Sequence, residues 1–188
     1  MSVEEAKDAV LMSATNWVRP YAALDRLNRH VKGYTFHNST GDLGASLVKF
    51  LAKTANVPES SISFQGAAGA WTKTTGELHL DGGDPKQYST DEYQSKPEET
   101  DVTRHVYAHE YTHAIDGPNH EISYSPEWKD AYQKEIVARK ALSAHGRTRP
   151  SEGFAEFGRL VFTSGKSLEE IAKEYPLCTA VWKKHNLG

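Results

Sequence analysis

His109-Glu110-Tyr111-Thr112-His113 places two histidines four positions apart, with a glutamate beside the first. The spacing has chemical meaning only on a helix, where residues i and i+4 project from one face. It therefore commits this part of the chain to a helix, and the flanks agree. Asp101 stands before the segment, and Gly117-Pro118 follows Asp116, so the expected helix runs from about Asp101 to Asp116. On that face two imidazoles can grip one Zn²⁺, and the adjacent glutamate can polarise a metal-bound water. His109 and His113 are thus candidate metal ligands and Glu110 a candidate general base.

The rest of the chain bounds what surrounds this helix. At 188 residues it has the length of one domain with a buried core, and its 38% hydrophobic content is that of a globular chain. The net charge of -3, without a basic block, argues against nucleic acid as the main partner. A single cysteine, Cys178, leaves no internal disulfide and no cysteine-rich zinc site, and it reads as a buried apolar filler. No apolar run has transmembrane length, so no membrane partner is expected. The N-terminal MSVEEAKDAVLMSATNW is acidic and amphipathic, unlike a signal peptide. That leaves two locations open: the cytoplasm, or secretion with a signal already removed. A monomer is the default expectation.

Periodicity divides the chain into a sheet-bearing first half and a helical second half. Residues 3–31 have helical spacing, broken at Pro20 and ended by Gly33. Tyr34–His37 alternates as a strand. A helix capped by Asp42 runs to about Asn56 and is stopped by Pro58. Ser61–Phe64, Ala70–Thr75 and Glu77–Leu80 read as strands, the first two flanking a flexible Gln65–Gly69 and the last ending at Gly82-Gly83. Residues 84–99 are polar and proline-bearing, which predicts a surface loop. After the HExxH helix, Ser125-Pro126-Glu127 opens a helix expected to reach about Ala144. Pro150 starts the helix that carries Glu152 and Glu156 and ends near Gly165. Ser167 and Glu170 form a capping box for a short helix, and after Pro176 a last helix holds Val181 and Trp182. The expected fold class is α+β, a single zincin-type metallopeptidase domain over residues 1–188. Residues 1–99 supply helices, sheet and loop, and residues 100–188 the catalytic helical half.

Two histidines leave a zinc site one protein ligand short. A metzincin would continue HExxHxxGxxH, but Gly117 and His120 each fall one residue too late, and both methionines lie far upstream. The GTxD of aspzincins is absent. The remaining plan takes a glutamate from a later helix, and Ser151-Glu152-Gly153-Phe154-Ala155-Glu156 supplies it, 39 positions after His113. Glu152 is the third candidate ligand. Glu156, one turn on and on the same face, is the alternative.

HEYTHAID followed by GRTRPSEGFAEFGRL resembles the catalytic domain of anthrax lethal factor and is similar to the Pro-Pro endopeptidases. More distantly it is similar to the Mlc titration factor A group, with its HExxHxxD and ExFAE pattern. The resemblance covers residues 100–185. It implies a gluzincin fold with an active-site helix, a ligand-bearing helix and an edge strand that binds substrate. It also implies one Zn²⁺ held by His109, His113 and Glu152, with Glu110 as general base. Glu156 matches a carboxylate that orients a ligand imidazole, a role for which Asp116 is a second candidate. Where the family carries an oxyanion-stabilising tyrosine, this chain has His145. A protonated imidazole can donate the same hydrogen bond, in which case activity falls as His145 deprotonates.

The expected activity is zinc-dependent endopeptidase chemistry on a peptide bound extended. The strand near Glu77, Leu78 and His79 would hold the peptide by β-augmentation, and Trp71 would line a specificity pocket. Plainer readings stand beside these roles. Trp71 can be core, Asp116 a helix-end carboxylate, His105 a structural extension of the histidine stripe, and His79 and His120 surface histidines. Two other functions remain open: a catalytically weak or silent zinc fold that binds a protein or peptide, motivated by His145, and a regulatory protein like Mlc titration factor A.

Overall fold

A computed structural model describes residues 33–37, 43–62, 69–72, 75–81, 102–185 and 187. The expected helices over 3–31, the Asp42 cap, all but Gly69 of the flexible segment 65–69 and the loop at 84–99 lie outside these residues. Strand β1 spans Gly33–His37, helix α1 Leu43–Ala55, strand β2 Gly69–Thr72 and strand β3 Glu77–Asp81. Helix α2 spans Val102–Asp116, α3 Pro126–Ala131, α4 Pro150–Thr163, α5 Leu168–Glu174 and α6 Pro176–Lys184. The described molecule is mostly helical with one three-stranded sheet in the order β1-β3-β2, β1 parallel and β2 antiparallel to β3.

Helix α2 is the centre of the packing. Val106, Tyr107, Ala108, Tyr111, Ala114 and Ile115 are all buried, on every side of the helix. A helix enclosed all round needs no single apolar stripe, which is why its sequence reads as mixed rather than amphipathic. The sheet covers one side through Leu78, fully buried, and α4 covers another. The two helices approach closely where Thr112 meets Gly158. A Cβ on Gly158 would stand 2.1 Å from Thr112 Oγ1, so only glycine allows that crossing.

The aromatic core fixes the start of α4. Trp128 packs edge-on against Phe154 with ring centroids 4.9 Å apart, and Trp182 meets Phe154 at a tilt and Phe157 edge-on. The Trp128 indole N–H donates to the Pro150 carbonyl at 2.9 Å, pinning the first residue of the helix that carries Glu152. Glu135 is buried and accepts from the backbone N–H groups of Leu177 and Cys178 at 2.8 and 2.9 Å, a carboxylate cap on α6. Cys178 is fully buried beside it, as expected of a filler. The Ser167–Glu170 capping box is present in both directions.

Three expectations about elements need correction. The helix opening at Pro126 does not reach Ala144. It widens into a π turn over Tyr132–Val137 and then breaks, with Lys140 and Leu142 in the left-handed region at φ 51 and 55. Arg147 Nη1 donates to the carbonyls of Lys140, Ala141 and Leu142 at 3.2, 3.3 and 2.9 Å, satisfying groups that a continued helix would have paired. Around Ser61, Glu59–Ser61 is a 3₁₀ turn rather than the start of a strand. Finally, β3 is the middle strand, paired on both sides, so the Glu77–Leu80 segment has no open edge for a peptide.

Candidate metal centre

The site is built where α2 and α4 face each other. His109 and His113 lie one turn apart on α2, and Glu152 lies in the first turn of α4. His109 Nε2 and His113 Nε2 are 3.2 Å apart, and Glu152 Oε2 is 3.1 Å from the first and 3.2 Å from the second. Three donor atoms from two helices thus form a nearly equilateral triangle. Ligand atoms on a tetrahedral zinc with bonds of about 2.0–2.2 Å stand roughly 3.3–3.5 Å apart. The triangle fits such an ion with adjustments of tenths of an ångström, and the donor set of two imidazoles and a carboxylate suits zinc.

Two of the three donors, His109 and Glu152, are held from behind. His109 Nδ1–H donates to Glu156 Oε1 at 2.7 Å, which turns Nε2 toward the centre. Glu156 is itself held by Arg159, whose Nη2 and Nε donate to its Oε2 at 2.7 and 3.1 Å. Arg159 Nη1 also reaches His105 Nδ1 at 3.4 Å. His105 therefore meets Arg159, on the far side of Glu156 from the nitrogen cluster. On Glu152, Arg149 clamps the outer oxygen, with Nη2 and Nε at 2.6 and 3.0 Å from Oε1. That leaves Oε2 for the imidazoles. The choice between the two glutamates follows from these contacts: Glu152 meets both Nε2 atoms, and Glu156 meets only the Nδ1 side of His109.

Charge and hydrogen bonds tie the members of the cluster to one another. Burial pushes the His109 imidazole down, but hydrogen bonds with Glu152 and Glu156 and the nearby charge of Glu110 outweigh it and hold the ring at about 10. Burial raises Glu152 and Glu156, and the imidazoles facing them pull both well below the usual carboxylate range. Three imidazoles act on Glu152, because His145 Nε2 also approaches its Oε2, at 2.8 Å. The Glu152 carboxylate in turn raises His145, against its partial burial.

The remaining expected residues fall into place differently. Glu110 is buried on α2 against Gly69 of β2, where a Cβ would stand 2.9 Å from Glu110 Cγ. Asp116 does not support a ligand imidazole. Its carboxylate accepts from the Ile122 and Ser123 backbone N–H groups at 2.9 and 2.8 Å, from the Ser123 hydroxyl, and from His120 Nδ1 at 3.0 Å. With all acceptor positions used, it closes the turn after α2. Leu78 is fully buried beneath the sheet and cannot line a substrate groove. Glu77 and His79 alternate onto the opposite face of β3, away from α2. His79 is fully buried there, so neither the substrate role nor the surface reading describes it. Trp71, on β2, is partly buried and packs against the core cluster.

Sequence reading missed Arg149 and Arg159. Both were visible as cations three positions from a glutamate, Arg149 just before the helix that carries Glu152 and Arg159 one turn after Glu156.

No family model matches the chain, and no curated protein matches it at significant similarity. Among solved structures, the fold is similar to that of a Pro-Pro endopeptidase from Paenibacillus alvei, with a TM-score of 0.61 and 16% sequence identity over 98% of this chain and 92% of that one. The described architecture is therefore that of a Pro-Pro endopeptidase-like fold.

Proposed function

We propose that this chain is a zinc-dependent endopeptidase of the gluzincin type. The observation that carries the reading is the triangle of His109 Nε2, His113 Nε2 and Glu152 Oε2, with all three sides between 3.1 and 3.2 Å. The likeness to an endopeptidase structure supports it, as does the resemblance of HEYTHAID and GRTRPSEGFAEFGRL to lethal factor and the Pro-Pro endopeptidases. A zinc held by these donors would supply Lewis-acid polarisation and a water of lowered pKa.

The chain's own residues supply the rest. Glu110 adjoins His109 and takes the proton from the water that attacks the peptide carbonyl. It then passes that proton to the leaving amine. Glu156 and Arg159 keep His109 in one tautomer and orientation, and Arg149 fixes the plane of the Glu152 carboxylate. His145 stands within hydrogen-bonding distance of Glu152 and can donate to a developing oxyanion. For substrate, β2 replaces β3 as the docking strand. Among the described residues it forms an edge of the sheet, and Gly69 at its start lies against Glu110. A peptide added along β2 would lie beside the general base.

The test is a peptide-library digest with the zinc-loaded protein. Cleavage by the wild type that falls by at least about 100-fold in Glu110→Gln with zinc retained supports the reading. Cleavage unchanged in that variant contradicts it. A second reading, a zinc fold that binds peptide without cutting it, is favoured by one observation: His145 already stands at Glu152 Oε2, where a catalytic site keeps a position open. Bound zinc with no cleavage of any library member decides for it.

A further inference from the structure

Three imidazoles meet Glu152 Oε2, not two. His145 Nε2 is the nearest at 2.8 Å, ahead of His109 at 3.1 Å and His113 at 3.2 Å. The ligand atoms of His109, His145 and Glu152 all lie within 4.8 Å of one another, and the His145 ring stands 5.6 Å from the His109 ring. His113 Nε2 stands 3.2 Å from His109 Nε2 and from Glu152 Oε2. Three imidazoles thus gather around one carboxylate oxygen, and four such donors are the number that fills a tetrahedral zinc. Closed four-ligand sites are structural, and catalytic sites keep one position for water or substrate.

The fourth donor differs from the others in how it is held. The side chains of Glu152, His109 and His113 are 4%, 8% and 14% exposed and belong to long packed helices, whereas that of His145 is 56% exposed. His145 sits on the single 3₁₀ turn His145–Arg147, between the left-handed residues Lys140 and Leu142 and the start of α4. It can leave the centre without unpacking the core. Arg149 occupies the other oxygen of Glu152 and keeps Oε2 turned toward the nitrogens whether or not His145 is there.

We propose that His145 is a fourth, removable metal ligand, which closes the centre in the resting protein and is displaced by a ligand that binds the metal. The proposal rests on the zinc reading above and adds a resting state to it. A site that starts closed holds its ion more tightly and exposes it to water only when occupied.

The experiment counts imidazoles on the metal. Full-length protein loaded with one zinc is measured by X-ray absorption at the zinc edge, alone and saturated with acetohydroxamate, a small bidentate zinc ligand. Transfer of zinc to a chromophoric chelator is timed in parallel. The wild type should show three imidazoles at rest and two with acetohydroxamate. His145→Ala and His145→Gln should show two in both conditions and release zinc at least about tenfold faster. Glutamine can still hydrogen-bond Glu152, so a count of two in both variants assigns the third imidazole to ligation by His145. Two imidazoles in the resting wild type, with release unchanged in the variants, overturns the proposal and leaves the zinc peptidase reading in place. Failure of the wild type to hold zinc at all overturns both.

Discussion

At the scale of single residues, the candidate ligand pair and candidate general base stand out in the sequence because the chemistry proposed for them depends on local spacing. His109 and His113 share a helix face wherever that segment is helical, and Glu110 is fixed to them by sequence. Glu152 was legible as one of two glutamates, and the structure separates them by contact: Glu152 faces both Nε2 atoms, Glu156 faces Nδ1. The carboxylate Asp116 misled because its position after HExxH says nothing about rotamer, and the loop at 117–123 offered its N–H groups first. Glu156→Gln keeps the shape but weakens the hydrogen bond that orients His109. We expect zinc affinity to fall about 10- to 100-fold, read by chelator competition, with the fold intact by circular dichroism. Arg159→Met should lower it in the same direction by a smaller factor, since Arg159 acts only through Glu156. Unchanged affinity in both variants would show that this chain of contacts does not tune the centre.

At the scale of elements, strands and helices were readable from periodicity, and pairing was not. The Glu77–Leu80 alternation identified β3, but alternation carries no information about which strand lies inside the sheet, and β3 proved central. The segment after Val137 is rich in helix formers, Ala138 through Ala144, yet the helix stops. Arg147 offers the carbonyls of 140–142 a different partner, a tertiary contact that propensity cannot foresee. The closeness of α2 and α4 rests on Gly158, and this gives an element-level prediction. Gly158→Ala places a Cβ 2.1 Å from Thr112 Oγ1, so the helices must part. Overpacking of this kind costs about 1–3 kcal/mol, and here it also spreads the proposed zinc donors. Thermal unfolding should shift down by several degrees and zinc affinity should drop together with it. Thr112→Ala/Gly158→Ala should recover part of both losses. A stable Gly158→Ala with unchanged affinity would mean that the crossing is looser than the structure describes.

For the whole molecule, the buried cluster of His109, Glu152 and Glu156 makes stability depend on pH and, on the zinc proposal, on metal as well. Without metal, His109 titrates at about 10, above its ordinary 6.5, so its contribution is complete below about pH 6.5 and is lost as pH rises toward 10. Glu152 and Glu156 titrate below their ordinary 4.5, so their contribution is present above that value and is lost only in stronger acid. Metal-free protein should therefore be most stable near pH 4.5–6.5 and soften through the alkaline range. Zinc bound as proposed would compete with the proton on His109 and would bind better as pH rises. The gap in Tm between zinc-loaded and metal-free protein should widen steadily from pH 6 to 9. A gap that is constant over that range would contradict the coupling.

A single zinc held by His109, His113 and Glu152 is the central proposal. Metal content measured on purified wild type and Glu152→Ala, each exposed to zinc and then desalted, tests it most directly. One zinc per wild-type chain and clear loss in the variant is the predicted result. Wild-type protein that retains no zinc, or a variant that retains it fully, would contradict the claim.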